Sequence, residues 1–193
     1  MGTRGARRVM LAALLVAAPA LGAELEGVKL EDRVQAGGQT LQLNGIGLRK
    51  RAFFKVYVAG LYLPERTGSA AQAMGARGPK RMTLVMLRDV GAGQFAGSLL
   101  DGLRDNHSEA ELARIKPQVD ELLGTIRRIG EAKEGMVIVL EHAPNPGTTM
   151  TVNGAPQGEP IAGEELFRAL LRIWLGENPV QEDLKKALLG QPG

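Results

Sequence analysis

The chain has 193 residues, no Cys, two His and a formal charge of +3. Without Cys, and with only His107 and His142, it has neither a disulfide framework nor a structural zinc site, so packing alone must hold the fold. Three of its 24 Lys and Arg (Arg4, Arg7, Arg8) lie in the first 23 residues, which hold no acid. That leaves 24 − 3 = 21 bases against 21 acids, a neutral remainder that gives nucleic acid no electrostatic footing.

The first stretch, "MGTRGARRVMLAALLVAAPALGA", has a basic start, an apolar run from Val9 to about Ala18 and small residues leading to Ala20 or Ala23. This layout predicts a secretory signal peptide over residues 1–23, cut after Ala20 or Ala23. The expected product is a periplasmic domain over 24–193. The apolar run is too short to span a bilayer comfortably, and no later segment reaches the required length, so no transmembrane segment is expected after cleavage. A lipoprotein anchor is excluded by the missing Cys.

"VKLEDRVQAGGQTLQLNGIGLR" reads as short strands broken into hairpins at Gly37, Gly38, Gly45 and Gly47. "AFFKVYVAGLYL" packs apolar residues without a polar period, which marks a central strand covered on both faces. Ser69 is placed to cap a short helix through Ala76, and Met82 to Asp89 forms another dense strand. Arg88-Asp89 at its end reads as a local ion pair or helix cap.

Phe95, Leu99 and Leu103 then recur at helical spacing, predicting a helix from Ala92 to about Asn106. Ser108 and Glu111 form a capping box, and Leu112, Ile115, Val119, Leu122, Leu123, Ile126 and Ile129 make the stripe that follows. Pro117 inside that stripe predicts a kink or two consecutive helices. "MVIVLEHAP" and "TTMTVNGAPQGEPI" return to strands, with Asn153-Gly154 as a hairpin turn. The end reads as a helix striped by Leu166, Leu170 and Trp174, a stop at Gly176, and a second helix opened by Asn178 and Pro179. The order of strands, helices, strands and helices is that of an α+β fold, with a mainly antiparallel sheet and helices on one face.

No nucleophile elbow, phosphate loop or paired His marks an enzyme, a metal centre or a cofactor site. The informative cluster is Arg49, Lys50 and Arg51 beside Phe53, Phe54, Lys55 and Tyr57 in a chain poor in aromatics. A guanidinium holds a carboxylate or enolate through two parallel hydrogen bonds, and Tyr adds a donor on an apolar ring. If the chain stays extended, Arg49 and Tyr57 share parity and face the same side of the sheet. The plainer alternative is a solvated basic turn beside a core tyrosine. His142 at a strand end is an isolated candidate base.

These motifs taken together are similar to the bacterial branch of the chalcone isomerase-like family. The carriers are "GIGLRKRAFFKVYVAGLYLPE", "LRDVGAGQFAGSLLDGLRDN", "VNGAPQGEPI" and "LLRIWLGENPVQEDLKKALLG", in that order. The resemblance implies an open-faced β-sandwich with a ligand cleft between a large antiparallel sheet and its helices. It assigns the family's arginine to Arg49, with Arg51 as a rival for the cleft. Tyr57 stands where the plant enzymes have a catalytic threonine, as in non-catalytic members that bind fatty acids. Phe95, Gly102 and Ile173, the last beside Trp174, replace three hydrogen-bonding positions of the enzymes.

The expected ligand site is therefore Arg49, Tyr57, Phe95, Ile173 and Trp174, holding a small apolar or amphipathic ligand such as a fatty acid. In an enzyme of this type, an intramolecular lyase closing an enone, only Arg49 and Tyr57 would remain as catalytic groups. A third possibility is a cell-envelope interaction module that uses the basic turn.

Overall fold

The structure is a computed structural model that describes residues 22–191. The predicted leader, apart from its last two residues, lies outside the described residues. The chain opens with a hairpin of β1 (Ala23–Leu25) and β2 (Val28–Leu30). A seven-stranded sheet follows in the order β3 (Arg33–Ala36), β4 (Gln39–Arg51), β5 (Phe54–Leu63), β6 (Lys80–Met86), β7 (Val137–Ala143), β8 (Gly147–Val152) and β9 (Ala155–Pro156). Every neighbouring pair is antiparallel.

Between these strands come α1 (Ala70–Gly75), α2 (Ala92–Asn106) and α3 (Glu109–Ile129), and after them α4 (Glu165–Leu175) and α5 (Glu182–Leu188). The fold is the α+β arrangement that the element order predicts. No helix among the described residues is long and apolar enough to cross a membrane.

The central strand, β5, is covered on both faces from Tyr57 onward, but the start of the predicted run is not: Ala52 and Phe53 form an exposed turn, and Phe54 and Lys55 are exposed. Tyr57, Ala59, Leu61 and Leu63 join the main core under the helices, whereas Tyr62 packs with Leu30, Leu41 and Leu43 in a smaller core. The Tyr62 hydroxyl donates to the Glu31 carbonyl (3.0 Å), which fixes the smaller core to the chain just after β2.

Gly45 and Gly47 do not break the chain into hairpins as expected. Both lie inside β4, where α5 crosses them: a Cβ on Gly45 would stand 2.1 Å from the Ala187 carbonyl oxygen, and one on Gly47 would stand 2.7 Å from Leu184 Cδ1. The glycines admit a helix rather than a turn. A register shift between Leu43 and Gly45 exchanges the faces of β4 at that point, so Leu41 and Leu43 serve the smaller core while Gly45, Gly47 and Arg49 face the helices. Asn44 at the shift is buried and satisfied, donating to the Leu188 carbonyl (2.7 Å) and accepting from the Thr67 N–H (2.7 Å).

The helices follow their sequence signals with two corrections. Ser108 and Glu111 form the capping box, and α3 buries Ile115, Val119, Leu122, Leu123 and Ile126. Pro117 does not divide it, because Pro117 and Ala113 are both on the solvent side, where water reaches the carbonyl that the proline leaves unpaired. The last helix starts at Glu182 rather than at Pro179, since Asn178 is engaged elsewhere, donating to the Asp105 carbonyl at the end of α2 (2.8 Å). Asn153-Gly154 makes the β8–β9 turn with φ of +50° and +81°.

Candidate functional site

Arg49 and Tyr57 share a face as expected, but as direct cross-strand partners on β4 and β5 rather than as positions of one extended strand. The turn between them is only Ala52 and Phe53, and a register shift lies between Arg49 and Lys50. That shift frees the Lys50 N–H from the ladder, and Gln181 takes it: the Gln181 side-chain oxygen accepts from Lys50 N (2.8 Å) while its amide donates to the Leu48 carbonyl (3.1 Å). The same oxygen accepts from Arg49 Nη1 at 3.4 Å, and Nη1 also donates to the Lys50 carbonyl. Arg49 is half-buried and held on two neutral oxygens, and no carboxylate among the described residues forms an ion pair with it.

A cavity of about 660 Å³ opens beside this pair, between the sheet and the helices α2 and α4. Val56, Leu84 and Leu140 of the sheet form its apolar floor, and Phe95, Leu99, Ile173 and Trp174 form the helical wall. Arg49, Arg51 and Arg88 stand around it with Asp101 and Asp105, giving an excess of one positive charge. All five residues expected at the site therefore line one space. So does Arg51, but it is exposed and pairs across the turn with Phe54, whereas Arg49 pairs with Tyr57.

Tyr57 is the polar feature of the interior. The Trp174 indole N–H donates to its hydroxyl oxygen (3.0 Å), which leaves the tyrosine O–H free to donate to a ligand. Burial pushes the Tyr57 pKa above its ordinary value, against smaller opposing effects from the Trp174 hydrogen bond and the Arg49 charge. The proton is therefore present at neutral pH.

The chalcone isomerase-like family model matches residues 22–190. The chain belongs to this family. No curated protein matches it. Among solved structures it is similar to a fatty-acid binding protein of Arabidopsis thaliana, with 15% identity and a TM-score of 0.66, over 84% of this chain and 92% of the other. At that identity the likeness shows the fold alone.

In this chalcone isomerase-like chain, Phe95, Gly102 and Ile173, the positions that the resemblance reads as replaced, lie on α2 and α4 beside the cavity. Phe95 lies on the cavity wall as an apolar ring. The space beside Gly102 is not empty: a Cβ there would lie 2.8 Å from Ile173 Cγ2, so the isoleucine fills it and lets α2 close on α4. Neither residue supplies a hydrogen bond to the cavity.

Arg88-Asp89 departs from its sequence reading, whereas His142 lies at a strand end as expected. Arg88 and Asp89 form neither an ion pair nor a cap. The Arg88 guanidinium lies 4.4 Å over the Phe54 ring, Asp89 accepts from the Glu134 N–H (2.8 Å), and Gly91 is the residue that precedes α2. His142 is buried on β7 outside the cavity, tilted against Phe167 at 5.8 Å, and its Nδ1 has no partner. Sequence reasoning missed Gln181 entirely, because a glutamine 131 residues from Lys50 carries no local signal. It also missed Asn106, which donates to the Asn178 carbonyl (2.7 Å) and ties α2 to the segment bordering the cavity.

Proposed function

We propose that the protein binds a small amphipathic carboxylate, a fatty acid, without turning it over. The observation that carries the reading is Arg49: a half-buried guanidinium on neutral oxygens, cross-strand from Tyr57, at an apolar cavity. A carboxylate head would take the guanidinium and the tyrosine O–H, and the tail would cover the floor, gaining about 0.8 kcal/mol for each methylene buried. The volume is in the range of small-molecule sites, about 300–1,000 Å³. The description of the Arabidopsis neighbour as a fatty-acid binding protein lends support at the level of fold. Absence of turnover is supported by the apolar side chains at Phe95 and Ile173, since each missing oriented donor costs a catalyst roughly 3–4 kcal/mol.

The test is mass spectrometry of small molecules extracted from the purified protein, with laurate titrations of wild type and Arg49→Ala. A bound fatty acid that the variant loses, with affinity reduced at least about tenfold, is expected for a hydrogen bond to a charged group. Unchanged affinity would overturn the assignment. Export to the periplasm belongs to the same proposal, supported by the layout of residues 1–23. N-terminal sequencing from the periplasmic fraction should give a start at Leu21 or Glu24, and an intact leader retained in the cytosol would refute it.

A further inference from the structure

The β4–β5 hairpin ends in an apolar tip whose Phe54 borders the cavity and whose Phe53 lies outside it. Phe53 is fully exposed and Phe54 is 59% exposed, and they are the only large hydrophobic side chains so exposed among the described residues. The chain has four Phe in all, so half of them stand in water at one turn while both Tyr and the single Trp are buried. Single exposed hydrophobic residues are ordinary on protein surfaces. Two adjacent aromatics at the tip of a projecting hairpin form a patch that calls for an occupant.

The turn also departs from what folding alone favours. Ala52 has φ of +52°, a conformation that Gly or Asn adopts at lower cost, and Phe53 follows it where a polar residue would serve the turn better. Around the two rings stand Arg49, Lys50, Arg51 and Lys55, with no acid in the segment, and Arg88 stacks on Phe54 from β6's end. Lys55 pairs with Glu26 (2.5 Å), while Lys50 and Arg51 form no ion pair among the described residues. The acids nearest the cavity side are Asp101 and Asp105 on α2.

We propose that this tip docks the protein on the surface of an anionic lipid bilayer, with Phe53 and Phe54 entering the headgroup boundary and Lys50 and Arg51 engaging lipid phosphates. Aromatic insertion together with basic residues is the chemistry of interfacial attachment: buried apolar area and attraction to anionic lipid add. A protein partner would need a surface complementary to two rings, whereas a bilayer accepts them without one. The tip is continuous with the cavity, because Arg51, Ala52 and Phe54 line it and Phe53 does not. Docking would set the opening at the depth where fatty-acid carboxylates lie. Docking stands on the hairpin alone, while transfer of a ligand rests on the fatty-acid reading.

The experiment is co-sedimentation of the protein with vesicles of equal parts phosphatidylglycerol and phosphatidylcholine, and with phosphatidylcholine alone. It is run beside laurate titration in vesicle-free buffer. Phe53→Ser alters an exposed side chain outside the cavity lining, so the variant should fold and keep wild-type laurate affinity. Wild type should bind the anionic vesicles, less at high salt, and Phe53→Ser should lose at least about tenfold in partitioning. Absence of wild-type binding to anionic vesicles, or Phe53→Ser binding them as well as wild type, overturns the proposal. A concentration-dependent dimer abolished by Phe53→Ser, without vesicle binding, would overturn it in favour of a second copy of the chain. Vesicle binding without laurate binding would refute the cavity reading and keep the docking surface.

Discussion

Removing one oxygen atom from the cavity, with Tyr57→Phe, tests both halves of the site. The Tyr57 hydroxyl accepts from the Trp174 indole N–H at 3.0 Å, and both side chains are almost fully buried. Without it the indole N–H has no protein partner, which costs about 1–2 kcal/mol and lowers Tm by roughly 2–6 °C for a chain of this size. The same change deletes the proposed second donor to a carboxylate head, so laurate should bind about tenfold to a hundredfold more weakly. Displacement of a fluorescent fatty acid reads the affinity, and thermal unfolding followed by circular dichroism reads the stability. Adding Trp174→Phe removes the stranded donor, so the double variant should lose less stability than the two single losses together, by about 1 kcal/mol. A Tyr57→Phe protein with wild-type affinity would refute the role given to the hydroxyl. Strict additivity in the cycle would refute the coupling between the two residues.

Gly45→Ala forces a methyl against the Ala187 carbonyl oxygen, which is backbone and cannot turn aside, so α5 should lift from β4 and carry Gln181 away from Arg49. Amide exchange in α5 should accelerate and laurate affinity should fall; unchanged exchange would contradict the close approach. Ile173→Ala leaves a space where α2 meets α4, costing about 2–5 kcal/mol of stability while extending the cavity. Its preference should shift to longer fatty acids by a few methylenes, each worth about 0.8 kcal/mol, and an unshifted chain-length profile would place the tail elsewhere. Burial, followed by the Lys80 charge, holds the His142 pKa below 6.5, so folding favours the neutral ring. Its contribution is complete above pH 6.5 and is lost as the pH falls through the folded-state value. Urea midpoints of His142→Leu should therefore vary less with pH below 6.5 than those of wild type.

What was legible in the sequence follows from local rules with one dominant outcome. A capping box at Ser108 and Glu111 and an Asn-Gly pair at 153–154 each correspond to one backbone arrangement, and each formed, while the apolar run without a polar period is a covered strand only from Tyr57 onward. Gly45 and Gly47 depart from the predicted hairpins because a glycine inside a strand pattern looks the same whether it makes a turn or admits a helix. Only the position of α5, nearly the whole domain away in sequence, decides between them. Strand parity puts Arg49 and Tyr57 on one face for a reason that does not hold, since the chain turns at Ala52 and Phe53 and pairs them across the hairpin; Phe95, Ile173 and Trp174 follow from the family resemblance. A helical stripe does not say which of its residues faces a cavity rather than the core.

The long-range contacts missing from the sequence reading also set the electrostatics of the site. Had Arg49 met a carboxylate of its own chain, an anionic ligand would have had to displace it, and the desolvated pair would have resisted. Instead the nearest partners are a carbonyl and the Gln181 amide oxygen, which hold the guanidinium in place without neutralising it. The bulge at Lys50 produces this arrangement, since it frees the backbone N–H that recruits Gln181 to the edge of the cavity. Replacing Gln181 by Glu would supply the missing carboxylate within reach of Arg49 and keep an oxygen for Lys50. That variant should therefore remain folded and lose affinity for carboxylates more than for neutral alcohols of the same chain length.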